Sequence, residues 1–236
     1  GFLGITYAHI TKRPKGVLIV GVKEYGPARW ALKKGDIITA IYDGHTMRSI
    51  EKLNRAEIDA LMARGAPGSD VLFEVWRSGR RLRSPLRITC TKTPFVFGKV
   101  LAPRIGYLRI ISFQKEKLVE EDILPHLIGF ETQGIQHVIV DLGANPGGFL
   151  NAAIEFLRLI APYDDGDMLE VRFRSGFVAP HHITLNGKGS FSHFHFVFLV
   201  DNQTASAAEI AAGVVQFWGI PVIGTSSRTY GKGSMQ

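Results

Sequence analysis

The sequence has almost no cysteine and no long apolar run, and these absences exclude several classes of protein. Cys90 is the only cysteine among 236 residues, so an internal disulfide and a cysteine-rich metal site are both excluded. No stretch approaches the ~18 uncharged apolar residues of a membrane-spanning helix. The longest apolar run, residues 196–200, has the length of a strand. With 45% hydrophobic residues, the chain is expected to be a folded globular protein in which Cys90 is a buried strand residue.

The net charge of +7 raises the possibility of nucleic-acid binding. Five arginines surround Ser78-Gly79, namely Arg77, Arg80, Arg81, Arg83 and Arg87. The flanking residues predict a hairpin there. Neither a helix-turn-helix pattern, nor zinc-finger spacing, nor an aromatic RNA-binding strand accompanies the cluster. We interpret it as a solvated hairpin tip and predict no nucleic-acid partner.

The pattern of strands and helices changes near residue 92 and predicts two domains. Residues 1–91 read as a small β-rich domain, with strands at 17–20 and 37–41, a helix at 50–63 and a hairpin of 71–76 with 82–89. Residues 92–236 read as an α/β domain with a largely buried sheet. Its predicted strands are 105–111, 137–142, 169–174, 194–200 and 221–223, and its predicted helices are 115–132, 149–160 and 207–217. The predicted fold class is therefore α+β followed by α/β.

Ser206 stands where a buried strand ends in a polar turn and a small-residue helix begins. The first N–H groups of a helix have no partner within it and carry the positive end of its dipole, so they can stabilise an oxyanion. The neighbours Ala205, Ala207 and Ala208 leave room for a substrate backbone. Ser206 and Glu209 also have the spacing of a capping box, and this stretch alone favours capping over catalysis.

Lys232 lies between two glycines near the end of the sequence and is a candidate general base. If the lysine is desolvated beside Tyr230 and the preceding strand, its pKa falls and it can deprotonate Ser206. The amide of Gln236 is placed to orient this lysine. A phosphate-binding loop is excluded, because the required Gly-x-x-x-x-Gly-Lys-Ser/Thr spacing is absent.

A third stretch, residues 141–149, runs from a buried strand through a tight turn into a helix. Its Asn-Pro-Gly-Gly sequence can present N–H groups to a ligand. The same residues also suit an ordinary strand-to-helix connection.

Taken together, these stretches resemble the carboxyl-terminal processing peptidases, or tail-specific proteases, which are serine peptidases with an N-terminal PDZ domain. The resemblance covers nearly the whole chain and includes residues 106–110, 138–148, 204–209 and 230–236 in family order. It implies a crotonase-like core with Ser206 as nucleophile, Lys232 as general base and Gln236 holding the lysine. It also implies an oxyanion hole made by the Ala207 N–H and a glycine N–H from Gly147 or Gly148, and no metal or organic cofactor.

The N-terminal region resembles a bacterial PDZ domain. The resemblance implies that the loop containing Leu3, Gly4 and Ile5 holds the terminal carboxylate of a peptide, and that the substrate tail adds as an edge strand. The expected partners are protein or peptide substrates with apolar C-termini. An extracytoplasmic location, in a bacterial envelope or the thylakoid lumen, is also implied, and the sequence itself shows no targeting signal.

The sequence departs from the family pattern in ways that keep a second function open. Gly143 stands where the family has arginine, so any salt bridge made by that arginine is lost. The segment from Gly224 to Lys232 is longer than usual, and the sequence stops at Gln236 where further core strands are expected, which suggests a fragment. The alternative is a PDZ-containing binding or scaffold protein that keeps the fold without catalysis.

Histidines offer only weak alternatives. His193 and His195 lie on one face of a predicted strand, but aromatic neighbours and the lack of a third ligand favour ordinary strand histidines over a metal site. No Ser-His-Asp set is suggested by spacing.

Overall fold

The computed structural model describes residues 3–11, 14–63, 66–172, 176, 178–184 and 187–232. The chain divides into two compact units, Gly1–Pro94 and Phe95–Gln236. The division follows Pro94, a little beyond the predicted boundary after residue 91. Within the described ranges, no helix is long and apolar enough to cross a membrane.

The first unit is built on one antiparallel sheet. Its strands are β1 (Ile5–Ile10), β2 (Gly16–Val22), β3 (Ile37–Tyr42), β4 (Met47–Ser49), β5 (Asp70–Arg77), β6 (Arg80–Arg81) and β7 (Leu86–Thr89). Their order is β1-β2-β3-β5-β6, with β4 on β3 and β7 on β5. In the described part of the chain, β1 pairs with β2 alone. Among the residues that the structure describes, one edge of β1 is therefore open.

The helix of this unit, α1 (Arg55–Ala63), begins later than the predicted residue 50. Residues 50–52 form a short 3-10 turn instead, and Leu53 is extended. Asn54 then caps the helix, because its side chain accepts from the Glu57 N–H at 3.0 Å while the Glu57 carboxylate accepts from the Asn54 N–H at 2.9 Å.

The core of the first unit is apolar, with one buried ion pair at its margin. Phe73 is fully buried in the core, and Cys90, just after β7, is buried as predicted. Asp36 is 1% exposed, and its two carboxylate oxygens accept from the Arg77 guanidinium at 2.8 and 2.7 Å. The predicted arginine hairpin is formed, with positive φ at Ser78.

The second unit contains a five-stranded sheet in the order β14-β13-β10-β9-β8. Its strands are β8 (Val96–Ala102), β9 (Ile105–Ile110), β10 (His137–Asp141), β13 (His195–Val200) and β14 (Val222–Gly224). All neighbours are parallel except β8, which pairs antiparallel with β9. A separate hairpin joins β11 (Asp165–Arg172) to β12 (Val178–Thr184). The last residues of the predicted strand 169–174 lie outside the described ranges.

Three α-helices accompany this sheet in the described residues: α2 (Leu124–Thr132), α3 (Leu150–Ile160) and α4 (Ala207–Phe217). The predicted helix 115–132 is formed only in part, because residues 119–123 take a π-helical turn and Pro125 lies in the first turn of α2. Leu108, Val140 and Phe198 are fully buried between the sheet and its helices. Since β10 and β13 are parallel neighbours, the turns that follow them meet at one edge of the sheet.

Candidate active site

The two turns at the carboxyl ends of β10 and β13 are joined by hydrogen bonds. The Ala205 N–H donates to the Asn145 carbonyl at 2.9 Å. The buried Thr204 hydroxyl donates to the Leu142 carbonyl, also at 2.9 Å. The Ala144 N–H donates to the Asp201 carboxylate at 2.9 Å. The structure thus brings together the two stretches, 141–149 and 201–206, that the sequence singled out.

Ser206 occupies the N-cap of α4 in an unusual backbone conformation. Its φ of 56° and ψ of −124° lie outside the regions that residues other than glycine usually adopt, and this conformation costs about 1–3 kcal/mol. The Ser206 N–H donates to Glu209 Oε2 at 2.8 Å. The Glu209 N–H donates to the Ser206 carbonyl at 2.8 Å. Ser206 and Glu209 thus form the predicted capping box, but the strained backbone of Ser206 is not something that a capping serine requires.

Gly147 lies directly against Ser206. A Cβ placed on Gly147 would be 2.8 Å from Ser206 Cβ and 2.9 Å from the Ala207 nitrogen, and its φ is +90°. The Gly147 N–H is occupied, since it donates to the Asn145 side chain at 2.8 Å. Within the described residues, the N–H groups of Gly148 and Ala207 have no hydrogen-bond acceptor. These are two of the three candidate oxyanion donors.

Gly148 packs tightly on the chain at Phe113. A Cβ on Gly148 would be 2.3 Å from the Phe113 carbonyl carbon, so a side chain cannot be accommodated. On either side of this contact, the Phe113 N–H donates to the Gly147 carbonyl and the Phe149 N–H donates to the Phe113 carbonyl, both at 2.9 Å. The backbone around Gly148 is held while its own N–H stays available.

The segment containing Lys232 is tied to Ser206 through Glu209. Glu209 Oε1 accepts from the Thr229 hydroxyl and the Gly231 N–H, both at 2.6 Å. Glu209 Oε2 accepts from the Lys232 N–H at 2.9 Å and also from the Ser206 N–H. Partial burial opposes ionisation of Glu209, but these four hydrogen bonds outweigh it and hold the pKa of the carboxyl below its usual value.

The Lys232 side chain is not desolvated as the general-base hypothesis supposed. Lys232 is exposed, and Tyr230 is 69% exposed. The backbone of the segment is held by hydrogen bonds, whereas the residue as a whole is exposed. Gln236 lies outside the described residues.

A buried carboxylate anchors the first part of the glycine turn. Asp141, at the end of β10, accepts from the Tyr107 hydroxyl and the Arg109 guanidinium on β9, and from the Gly143 N–H. Burial and the hydrogen bond to Asp141 raise the pKa of Tyr107 to about 12.

In the first unit, the predicted carboxylate-binding loop is described from Leu3 onward. Gly4 has a φ of +75° and packs on Gly26, where a Cβ would be 2.4 Å from Gly26 Cα. The Leu3 carbonyl accepts from the Ala28 N–H at 3.1 Å and the Gly4 carbonyl from the Lys23 N–H at 2.6 Å. In the described part of the structure, the N–H groups of Leu3 and Gly4 have no acceptor.

Polar side chains join β1 to α1. Asp59 on α1 accepts from the Tyr7 hydroxyl at 3.0 Å and contacts His9 Nε2 at 2.9 Å. The hydrogen bond with His9 is the main reason that the pKa of Asp59 is lowered.

The histidines considered as metal ligands have other neighbours. His193 contacts Glu131 at 3.3 Å, and His195 stacks on His137. Among the residues that the structure describes, no group of three or more His, Cys, Asp or Glu side chains could hold a metal ion.

Comparison with known families decides the relationship. The model described as peptidase family S41 matches residues 104–236, and that of the PDZ domain matches residues 1–86. The chain belongs to peptidase family S41. An N-terminal PDZ domain precedes its α/β peptidase fold, as predicted.

Other S41 proteins resemble the chain over most of its length. The carboxy-terminal processing protease CtpB of Bacillus subtilis (strain 168) is 30% identical over 227 residues, which is 93% of this chain and 45% of that protein. The chain spans about half the length of the curated relatives it matches.

Two solved structures share the fold. A crystal structure described as an S41 protease from Bacteroides fragilis NCTC 9343 aligns over 98% of this chain and 64% of its own, with a TM-score of 0.63 and 18% identity. The photosystem II D1 C-terminal processing protease aligns over 100% of this chain and 62% of its own, with a TM-score of 0.51 and 21% identity.

Sequence reasoning missed two residues of this S41 site. Glu209 was seen only as half of a capping box, although its second oxygen reaches Thr229 and Gly231. Arg109 was noted only as part of a family motif. A basic residue on β9 that aligns with an acidic residue on the parallel strand β10 was the available signal, but it required the register of the two strands.

Proposed function

We propose that this S41 chain is a serine endopeptidase that cleaves protein substrates near their C-terminus, with Ser206 as nucleophile and Lys232 as general base. The observation that carries the proposal is the close approach of Gly147 to Ser206, whose backbone is strained. A capping serine needs neither feature. A nucleophile that must be presented beside unpaired N–H groups benefits from both.

The reaction follows from these positions. Ser206 Oγ attacks the scissile carbonyl carbon while Lys232 accepts the hydroxyl proton. The N–H groups of Ala207 and Gly148 receive the negative charge that develops on the carbonyl oxygen. We assign Gly148 over Gly147 as the second donor, because the Gly147 N–H already donates to Asn145.

The intermediate collapses with departure of the substrate amine, which takes up the proton carried by Lys232. An acyl-enzyme ester on Ser206 remains. Water, deprotonated by the neutral lysine, then attacks this ester and releases the new C-terminus. The serine hydroxyl and the starting protonation state are thereby restored.

The lysine must move from its exposed position to act as the base. Its backbone is already close, because the N–H groups of Ser206 and Lys232 donate to the same Glu209 oxygen. A rotation of the long lysine side chain toward Ser206 completes the dyad and removes the ammonium group from water, which favours the neutral base. In this proposal Gln236 orients the lysine.

We assign the PDZ domain to recognition of the substrate tail. The N–H groups of Leu3, Gly4 and Ile5 bind the terminal carboxylate, and the tail adds as a strand on the open edge of β1. The partly buried Ile5 and the buried Leu3 belong to the apolar cluster of this unit, which suits an apolar final residue. We place the protein outside the cytoplasm, since relatives include chloroplastic processing peptidases.

The test is cleavage of an unstructured peptide with an apolar C-terminus, followed by mass spectrometry. The natural protein should cut it, and Ser206→Ala and Lys232→Ala should each abolish cutting. Ser226→Ala and Lys92→Ala, which alter exposed residues of the same types, should cut normally. An amidated peptide should bind more weakly than the free acid if the PDZ loop holds the carboxylate.

The exposure of Lys232 favours a second candidate, a PDZ-containing binding protein without catalysis. This candidate predicts tight binding of the free-acid peptide with no product at any time. Cutting that survives in Ser206→Ala would reject the dyad.

A further inference from the structure

We propose that Arg109 is a positioning residue for the oxyanion turn, and that it supplies the cation which Gly143 cannot provide. This inference rests on the proposed function. Arg109 does not touch a substrate in this proposal, because its guanidinium is engaged with Asp141 and Gly143. Its effect reaches the reaction through the backbone of residues 141–148.

Strand register places Arg109 opposite Asp141. The two residues are direct partners in the parallel pair β9–β10. Arg109 Nη1 donates to Asp141 Oδ2 at 2.7 Å, and Nη2 donates to the Gly143 carbonyl at 2.9 Å. The Arg109 guanidinium therefore bonds both to Asp141, the last residue of β10, and to the turn that follows it. Charge-assisted bonds of this kind are stronger than neutral ones and fix geometry.

Partial burial strengthens the hydrogen bonds between Arg109 and Asp141. The Asp141 side chain is 12% exposed and that of Arg109 is 27% exposed, so water competes poorly for either charge. The other Asp141 oxygen, Oδ1, accepts from the Gly143 N–H at 2.7 Å. The Asp141 carboxylate and the backbone of the turn therefore hold each other in position, and Arg109 is bonded to both.

The turn cannot draw its cation from residue 143. A Cβ on Gly143 would be 3.0 Å from Asp141 Oδ1 and 3.3 Å from Asp201 Oδ2. Two carboxylates therefore approach this glycine from different strands. Arg109 is the cation that meets the first of these carboxylates.

The constraint extends along the chain to the proposed donor. Ala144, with a φ of 56°, is held by Asp201, and the fully buried Asn145 is held by the Ile110 carbonyl at 2.9 Å. Asn145 in turn holds the Gly147 N–H. Loosening the turn at Gly143 should therefore displace the Gly148 N–H relative to Ser206.

The test combines hydrogen exchange with kinetics in the natural protein. Arg109→Gln should increase amide exchange about tenfold or more in the peptide covering residues 141–149, with exchange in α2 unchanged. Turnover per active site, counted with a fluorophosphonate that labels Ser206, should fall about 10- to 100-fold with KM little changed. Arg109→Lys, which keeps one contact, should fall less.

Arg104→Gln is the matched control, since it removes the same charge from an exposed residue beside the same sheet. It should change neither measurement. Arg109→Gln combined with Gly143→Arg should recover part of the turnover if a cation beside Asp141 is what matters.

The outcomes are separable from those of the proposed function. Unchanged exchange at 141–149 in both Arg109 variants would overturn the inference, whether or not the protein is a peptidase. A wild-type protein that neither cuts nor labels would reject the proposed function and leave the exchange result standing. A loss of labelled sites with normal turnover per site would show a folding role only, and would also overturn the inference.

Discussion

Gly147→Ala is the sharpest perturbation of the candidate site. The new methyl group would lie 2.7 Å from the Ala205 carbonyl oxygen and 2.8 Å from Ser206 Cβ, next to the nucleophile. Ordinary contact begins at 3.4 Å, so the turn must retreat by about 0.6 Å from Ser206. The φ of +90° adds strain of about 1–3 kcal/mol for a residue with a side chain.

We expect two consequences of this change. The free energy of unfolding should fall by about 3 kcal/mol, because strain and overpacking act together. Turnover per active site should fall about 10- to 100-fold, since displacements approaching 1 Å cost about that much. Chemical denaturation and active-site-normalised peptide cleavage measure the two effects.

Gly134→Ala is the matched control. Gly134 has a φ of +68°, but nothing lies within 4 Å of the position of its Cβ. It should lose only about 1–2 kcal/mol from backbone strain and keep full activity per site. If Gly147→Ala matches Gly134→Ala in both assays, the close approach of Gly147 to Ser206 does not exist in the active protein.

Three further predictions concern single groups. Burial and a hydrogen-bonded carboxylate raise the pKa of Tyr107 from 10.0 to about 12, so the stability that this tyrosine contributes should persist below pH 10 and be lost toward pH 12. The absorbance difference between wild type and Tyr107→Phe, followed against pH, should show ionisation of the phenol near pH 12, and ionisation near pH 10 would contradict the prediction. Burial raises the pKa of the Cys90 thiol, so a disulfide reagent should react with it only after unfolding in urea, and rapid reaction in the native protein would refute its burial. Arg77→Ala leaves buried Asp36 without its cation and should lower the free energy of unfolding by about 3 kcal/mol. Arg87→Ala, at an exposed pair, should lower it by less than about 1 kcal/mol, and equal losses in chemical denaturation would argue against a special role for the buried pair.

Local features of the fold were readable from the sequence. The alternation of apolar residues predicted most strands of the two sheets, but not β1, β4 or β8, and the small-residue helix after Ser206 is formed as α4. The helix predicted from residue 50 was too long. The cap formed by Asn54 starts the helix at the next residue, although the apolar spacing continues before it. The capping-box spacing of Ser206 and Glu209 predicted the bond to Glu209, but gave no sign of the positive φ at Ser206.

The long-range features of the site were not readable. The contacts of Glu209 with Thr229 and Gly231 join residues about 20 positions apart, and no local pattern encodes them. Solvent exposure of Lys232 depends on how the whole segment lies, so flanking glycines could not predict it. The pairing of Arg109 with Asp141 needed a strand register that periodicity alone does not fix.

The four hydrogen bonds at Glu209 bear on how this part of the chain can vary. Because the lysine segment is fastened at Thr229, Gly231 and Lys232, its placement does not depend on the path from β14. Insertions or deletions within residues 225–228 can therefore be absorbed as a surface loop of different length. The stretch before Lys232 can therefore vary in length, because the bonds to Glu209 and the bond from the Tyr230 N–H to the Thr204 carbonyl set where the lysine is attached.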